Sequence, residues 1–418
     1  MTALRIAMLT YSLRPRGGVV HALEVSEALA RRGHEVELFA LGRPGEEFFR
    51  APRVPATIVR HDEHDGPFDD RIRRMIHVYG EGLAEPLAAG RFDVVHAQDC
   101  LSCNAALELR GLVAAGPLIR TVHHVDDFRS PSLIECQDRS ILEPDAVLCV
   151  SRPWRVTLER DFGVRALLVG NGVDTGCFRP PRDAGERAGE RRLAGVDGRF
   201  AVLTIGGIEP RKGSLTLLEA FAALCRRAPH VEPLLVVAGG ATLFDYRDEI
   251  DRFHARVAQL GLGERVRVLG PVEPAELERL YRAADVFAFP SVKEGFGLAA
   301  VEALASGLPL VASDLDVFSD FLEHEGNALL CPVGDAGALG DALVRLALDP
   351  GLRSPAASRA RRDAAGHTWE AAAEAHERAY EDFLAATTSA PHQGPGLGEA
   401  AQPTTSAPHQ GPGLGEAA

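Results

Sequence analysis

Apolar strand-like runs alternate with amphipathic helical stretches almost from one end of the chain to the other, and this alternation confines it to parallel sheets built from βαβ units. In the first half the strand-like runs fall at 4–12, 34–41, 93–98, 118–124 and 146–151, with helical patterns at about 19–32, 71–89, 103–114 and 153–161 between them. Parallel strands are buried on both faces, so helices must cover each sheet on both sides. The pattern pauses at NGVDTGCFRPP and a charged Ala/Gly-rich segment (182–199). It resumes at FAVLTIGG (200–207) and continues through 234–240, 266–270, 286–291, 308–314 and 328–333. A chain of 418 residues is too long for one ordinary core. The expectation is an α/β protein of two doubly wound, Rossmann-like domains, with the boundary near residues 175–198. A helical segment (367–386) follows with no strand after it. The fifteen residues TTSAPHQGPGLGEAA occur at 387–401 and again at 404–418; rich in Gly and Pro, this tail cannot bury a core and reads as disordered.

Composition narrows the function classes. A net charge of −14 argues against nonspecific nucleic-acid binding. No apolar window reaches the length of a membrane span and no leader pattern opens the chain, so a cytoplasmic protein is expected. Seven cysteines without framework spacing point to reduced thiols. Cys100 and Cys103 form a lone C-x-x-C near His96, Asp99, His123 and His124; ordinary buried residues explain it better than a metal or redox site. The stretch 69–83 places Ile72, Met75, Ile76, Tyr79 and Leu83 at helical spacing beside arginines, a pattern of a core-facing helix that leaves membrane contact open. Of 45 basic residues only Lys212 and Lys293 are lysines.

Ligands of open α/β sheets bind beyond the carboxyl ends of strands, and three strand-turn-helix units offer such places. After the first strand, Gly17 and Gly18 permit close backbone approach, and the following helix offers free N–H groups to an anion. In GGIEPRKGSLTLLEAF, Arg211 and Lys212 stand just before a helix, placed for charge-assisted hydrogen bonds to diphosphate oxygens. In PSVKEGFGLAAVEALASG, Glu294 precedes a Gly-Phe-Gly turn and Glu302 lies eight residues on, in the second turn of a helix among apolar neighbours. The run GFGLAA also matches a dinucleotide fingerprint, with Asp314 at a strand end. That reading is disfavoured because the unit is the fourth of its domain and Glu294 would repel a pyrophosphate. Carboxylates accept paired hydrogen bonds from vicinal diols, so Glu294 and Glu302 suit the hydroxyls of a nucleotide sugar. A carboxylate at Glu302 without a partner would be costly, and ligand binding is the expected compensation.

The pairing of E-P-R-K-G with an E-x7-E motif resembles the retaining glycosyltransferases of the two-domain GT-B architecture, of the group-1 or GT4 type that includes bacterial mannosyl- and glucosyltransferases. The resemblance spans about residues 1–385 and takes in the Gly-Gly turn, DVVHAQD, TVHHVDD, NGVD, the AGG strand end and Trp369. It implies an acceptor-side domain at 1–180, a nucleotide-sugar donor domain at 181–366, and a cleft between them. The terminal helix 367–386 would then be free to cross back to the first domain, ahead of the tail 387–418. By the same resemblance Lys212, with Arg211, would bind the donor diphosphate. Glu302 would hold the ribose and Glu294 the transferred sugar near the reacting centre. Backbone amides at Phe296, Gly297 and Leu298 would hold sugar hydroxyls and phosphate, while Gly17 and Gly18 would close over the diphosphate. His123 would line the sugar and acceptor side. No metal or other cofactor is expected, and the acceptor would be a hydroxyl of a small molecule, glycan or lipid. Where the family often carries an arginine six residues before the motif lysine, this chain has Gly206. That departure leaves two further readings: a sugar-nucleotide epimerase on the same architecture, or a sugar-nucleotide-binding protein without turnover.

Overall fold

The structure, a computed structural model, describes residues 3–62, 66–113, 115–240 and 246–389. The first sheet contains β1 (Arg5–Thr10), β2 (Glu35–Gly42), β3 (Ala56–Arg60), β4 (Val94–Ala97), β5 (Leu118–Val122), β6 (Ala146–Cys149) and β7 (Leu167–Leu168). Their order is β3-β2-β1-β4-β5-β6-β7, with every pair parallel. The second contains β8 (Phe200–Ile205), β9 (Pro233–Ala238), β10 (Val266–Gly270), β11 (Val286–Phe289), β12 (Leu310–Ser313) and β13 (Ala328–Cys331), in the order β10-β9-β8-β11-β12-β13, again all parallel. The central strands are buried on both faces, as in β4 and β11, where every residue is buried.

Two strands escape the sequence pattern because they lie at the margins. β3 is a five-residue edge strand with mostly exposed or half-buried positions, and β7 has two residues. The helix Pro131–Leu142 was likewise not anticipated. The charged segment read as a pause contains a helix, Ala184–Ala194, with no buried residue. It forms because Asp183 caps its first turn through the Glu186 amide (2.8 Å) and Gly195 ends it in the left-handed region. Arg187 and Arg191 then tie it to Asp285, at 2.7 and 3.0 Å, on the second sheet's side of the molecule.

The last helix runs from Trp369 to Ser389, three residues past its expected end, and the remainder of the repeated tail lies outside the described residues. It packs along the helix Gly17–Arg31 of the first half, burying Trp369, Ala373 and Tyr380 in the core formed with Ile6 and Met8. Arg31 pairs with Glu370 at 2.7 Å and His34 meets Glu377 at 3.1 Å. The helix Phe68–Gly90 buries Ile72, Ile76, Tyr79 and Leu83, so its apolar stripe faces the core, with Met75 half-buried. Among the described residues no helix is long and apolar enough to cross a membrane. All seven cysteines are free; Cys103 packs in the core from the helix Cys100–Glu108.

Candidate active site

In both sheets the strand order reverses once, between β1 and β4 and between β8 and β11. The loops after those strands diverge and leave a crevice at the carboxyl edge, the place where open α/β sheets bind ligands. Gly17 and Gly18 follow β1, Gln98 follows β4, and His123 follows β5. Arg211 and Lys212 follow β8, and Glu294 to Leu298 follow β11.

The β8 and β11 loops interlock: the Val292 amide donates to the Arg211 carbonyl at 2.8 Å. Lys212 Nζ reaches Glu294 Oε1 at 2.6 Å and stands over the Phe289 ring, while Arg211 Nη1 reaches Glu294 Oε2 at 3.3 Å. Ser291 Oγ donates a further bond to Glu294 at 2.8 Å. Burial alone would raise the Glu294 pKa, but the Lys212 and Arg211 charges and these hydrogen bonds outweigh it and hold the carboxyl below its ordinary value. Gly206, where the resemblance implies an arginine, lies under this lysine. A Cβ there would stand 2.7 Å from Lys212 Cε, and its φ of +130° is one that side-chain-bearing residues rarely adopt. The position accommodates the Lys212 stem.

Glu302, one helical segment on, has a different setting. Ligand binding was the expected compensation for its apolar neighbours; the structure adds a protein partner, Tyr281 from the helix Pro274–Ala283, which donates its hydroxyl to Glu302 Oε2 at 2.8 Å. No basic side chain is within ion-pair distance among the described residues. Burial pushes the Glu302 pKa up to about 7, the Tyr281 bond opposes this, and the charge of Glu24 in the first half adds to the rise.

The two halves meet at the turn between these carboxylates. A Cβ on Gly295 would collide with the His123 carbonyl oxygen, and one on Gly17 would touch Leu298 at 3.9 Å. Trp154 Nε1 donates to the Glu294 carbonyl at 3.3 Å, Ser151 Oγ to the Gly295 carbonyl at 3.3 Å, and Lys293 pairs with Asp127 at 2.6 Å. The turn is therefore held from the opposite half. Gly297 adopts φ +102° at the start of the helix Leu298–Ala305. Among the described residues no acceptor is found for the amides of Phe296, Gly297 and Leu298, which stand at a helix N-terminus. The Phe296 side chain turns inward against Phe321.

His123 Nε2 lies 3.0 Å from Gln98 Oε1, so the ring donates from Nε2 and keeps a lone pair on Nδ1. Burial, then the neighbouring His21 and Arg120, holds it well below the usual histidine range, and it is neutral. His21 packs edge-on against it at 4.8 Å and bonds Asn171 (2.7 Å) and His376 (3.2 Å), linking the terminal helix to the cleft floor. Gly18 packs against His123: a Cβ there would lie 3.2 Å from its Cδ2. Sequence reading missed Ser291, Gln98, His21, Trp154 and Tyr281. Ser291 could have been found, since it sits three residues before Glu294 in the same loop. Tyr281 could not, because only the packing of two helices brings it to Glu302. His96 and Asp99 are absorbed in structure, His96 by Tyr380 and Thr121 (2.7 Å each) and Asp99 by capping the helix that carries the C-x-x-C. Among the described residues no group of three or more His, Cys, Asp or Glu could hold a metal ion.

Comparison with known proteins gives consistent results. Residues 190–363 match the family "Glycosyl transferases group 1" and residues 15–176 match "Glycosyltransferase Family 4". The chain is 31% identical to a D-inositol 3-phosphate glycosyltransferase of Saccharomonospora viridis, covering 91% of this chain and 95% of that one. It is also 31% identical to the corresponding enzyme of Actinosynnema mirum, over 87% and 92% of the two chains. Among solved structures it resembles sucrose-phosphate synthase from Thermosynechococcus elongatus (TM-score 0.77, 22% identity, 92% of this chain and 100% of that one). It resembles Anabaena HepE, solved with UDP and glucose, at a TM-score of 0.71 and 20% identity, over 91% and 99% of the chains.

Proposed function

The chain belongs to the group 1 glycosyltransferases, and on that premise we propose that it moves a hexose from a nucleotide-diphosphate sugar to a hydroxyl acceptor, with retention of configuration and without a metal ion. The observation that carries this reading is the juxtaposition at the β8–β11 switch point. Two cations, Lys212 and Arg211, converge on Glu294, and the amides of Phe296, Gly297 and Leu298, for which no acceptor is found among the described residues, follow in the same loop. Such a constellation suits a diphosphate, whose developing charge it would stabilise as the sugar–phosphate bond breaks. Lys212 has three protons and commits one to Glu294, so Nζ can hold a phosphate oxygen while keeping the carboxylate in place.

In this reading the anomeric C–O bond to the diphosphate breaks while the acceptor oxygen attacks from the same face. The acceptor's proton passes to the departing phosphate oxygen, so no protein nucleophile is needed. Glu294 orients the transferred hexose through its hydroxyls, and Glu302 accepts the ribose diol. Neutral His123 presents its Nδ1 lone pair to the sugar and acceptor. Gly17 and Gly18 let the first half's backbone approach the diphosphate, and the tight fit of Gly295 on His123 helps exclude water.

HepE is solved with UDP-glucose, which makes that donor the first to try. UDP-, GDP- and ADP-hexoses are incubated with candidate acceptors in the presence of EDTA, and product anomers are read by NMR. Product with the donor's own anomeric configuration supports the proposal. An inverted product, or turnover abolished by EDTA and restored by a divalent ion, would overturn the corresponding part of it.

A further inference from the structure

Segments far apart in the chain meet at one buried side chain of the first half, His21, which takes no part in the donor site. It lies in the helix Gly17–Arg31, a turn beyond Gly17 and Gly18. Its Nδ1 is 2.7 Å from the side-chain amide of Asn171, its Nε2 is 3.2 Å from His376 Nε2, and its ring packs edge-on against His123. All of these partners of the hydrogen-bonded chain are buried, so their polar atoms depend on one another.

Asn171 and His376 belong to the connection between the halves. The chain passes from the first sheet to the second after β7 and comes back ahead of the terminal helix, and the two passages run side by side. The Val173 amide donates to the His367 carbonyl at 3.0 Å, Val173 forms a parallel bridge with Thr368, and a Cβ on Gly172 would collide with the Trp369 amide nitrogen. Asn171 stands at the start of the first passage, and His376 lies in the helix that the second one enters.

The proton positions follow from the end of the chain. His376 Nδ1 is 2.8 Å from the Ala372 carbonyl, which can only accept, so that nitrogen carries the proton. Burial lowers the pKa of His376 to about 3 and that of His21 to about 4, and both rings are neutral at neutral pH. His376 Nε2 is then a lone pair, and His21 donates to it from Nε2. This leaves His21 Nδ1 as an acceptor, which calls for the amide nitrogen of Asn171. Asn171 Oδ1 at that place would force the His21 proton to Nδ1 and set two lone pairs face to face across 3.2 Å, a conflict that a half-turn of the amide removes. The hydrogen bonds therefore run one way, from Asn171 through His21 and His376 to the Ala372 carbonyl.

What rests on this chain is His123. Gln98 takes its Nε2 proton at 3.0 Å, the Gly18 backbone closes on its Cδ2 edge, and His21 packs at 4.8 Å with the ring planes 77° apart. His21 itself has no exposed surface and touches no substrate. We infer that His21 is a positioning residue for sugar transfer: its one-way chain ties His123 and the Gly17–Gly18 turn to both passages between the halves, so that the connection sets the wall of the site that meets the sugar and acceptor. The inference rests on the glycosyltransferase reading of the cleft, in which His123 faces those groups.

The test uses the full chain with isotope-labelled histidine, and NMR reads which nitrogen of each ring is protonated. The expected pattern is Nε2–H for His21, Nδ1–H for His376 and Nε2–H for His123. Asn171→Asp brings a carboxylate that can only accept, so His21 should gain a proton on Nδ1 and the His123 signal should spread over both tautomers. With the donor and acceptor that the wild type turns over, Asn171→Asp and His21→Phe should each lower kcat by about tenfold or more, short of the roughly 10²-fold that a misplacement of an ångström costs, with donor KM held within about twofold. His21→Gln, whose amide can still donate to His376, should recover part of the loss, and with Asn171→Asp it decides the question should the phenylalanine variant fail to fold. Glu377→Gln loosens the same helix through Arg32 and His34 without touching His21, and should lower Tm while leaving kcat unchanged. A wild-type His21 protonated on Nδ1, a single His123 tautomer in Asn171→Asp, full turnover in His21→Phe, or a kcat loss in Glu377→Gln as large as in His21→Phe would each overturn the inference. A wild type without turnover counts against the glycosyltransferase reading instead, and the nitrogen signals still decide the role of His21.

Discussion

Glu294 and Glu302 stand on one strand-turn-helix unit, yet the protein treats them oppositely. Around Glu294 two cations and a serine hydroxyl converge, and its carboxyl is held below the ordinary value. Around Glu302 the only hydrogen-bond donor among the described residues is a tyrosine, and its pKa rises to about 7. The difference comes from the third element each one meets: the loop after β8 for Glu294, and the helix Pro274–Ala283 for Glu302. One carboxylate is thus held ionised at neutral pH, paired with the two cations. The other titrates near neutrality, so its capacity to accept a diol depends on pH.

The largest expected effect comes from breaking the first environment. Lys212→Ala leaves Glu294 buried with Arg211 and Ser291 alone, and should cost about 3 kcal/mol, the lower end of what removing one partner of a buried pair costs. Turnover should fall on the order of 10²- to 10³-fold, since the lysine is also assigned to the leaving diphosphate. Adding Glu294→Gln should restore most of the stability and none of the turnover, as read by denaturant titration and steady-state kinetics. A double variant no more stable than Lys212→Ala would mean the pair is not coupled as the geometry implies.

The second environment predicts a pH effect of intermediate size. Below about pH 7 Glu302 is protonated and offers fewer acceptor sites, so UDP-glucose affinity should climb with pH, by at most tenfold per unit, and level off above about 7. Glu302→Gln should flatten that profile. Stability runs the other way: a folded pKa raised above the unfolded one makes this group's contribution complete below the ordinary value of 4.5 and lost as pH rises through about 7. If the variant kept the wild-type slope, another group would be responsible.

The smallest effect should come from Tyr281→Phe, which removes the one bond that lowers the Glu302 pKa. The midpoint of the affinity profile should move upward by less than about one unit, consistent with a hydrogen bond worth about 1 kcal/mol. At pH 7 this amounts to a few-fold weaker donor binding. An unmoved midpoint would show that the tyrosine only packs there.

Much of this molecule was legible in its sequence. The central strands of both sheets read as continuous apolar runs because parallel strands are buried on both faces, and the glycine-rich turns read as ligand loops because the strand-turn-helix unit is a local pattern. The resemblance to the group 1 glycosyltransferases rested on EPRKG and the two glutamates in that order, and the family matches bear out the membership. What was illegible was marginal or non-local. The edge strand β3 buries too little to announce itself, and the helix Ala184–Ala194 has polar composition all round because it is held by Arg187 and Arg191 on Asp285. A cavity beyond the carboxyl ends of β1, β2 and β3 gathers six arginines from a lining that runs from Tyr11 to Val78, where the sequence showed only an amphipathic helix with arginines beside it.

By itself, then, the sequence determined the two parallel sheets, the order of the loops at their carboxyl edges and the residue types those loops carry, since each depends on spacing along a few tens of residues. The tertiary structure alone decided what those residues are chemically: which glutamate is paired with a lysine, which receives only a tyrosine's hydrogen bond, which histidine is held neutral, and why Gly206 lies beneath Lys212. Charge and hydrogen bonding act through space over a few ångströms, and the groups that set them arrive from elements that only packing brings together.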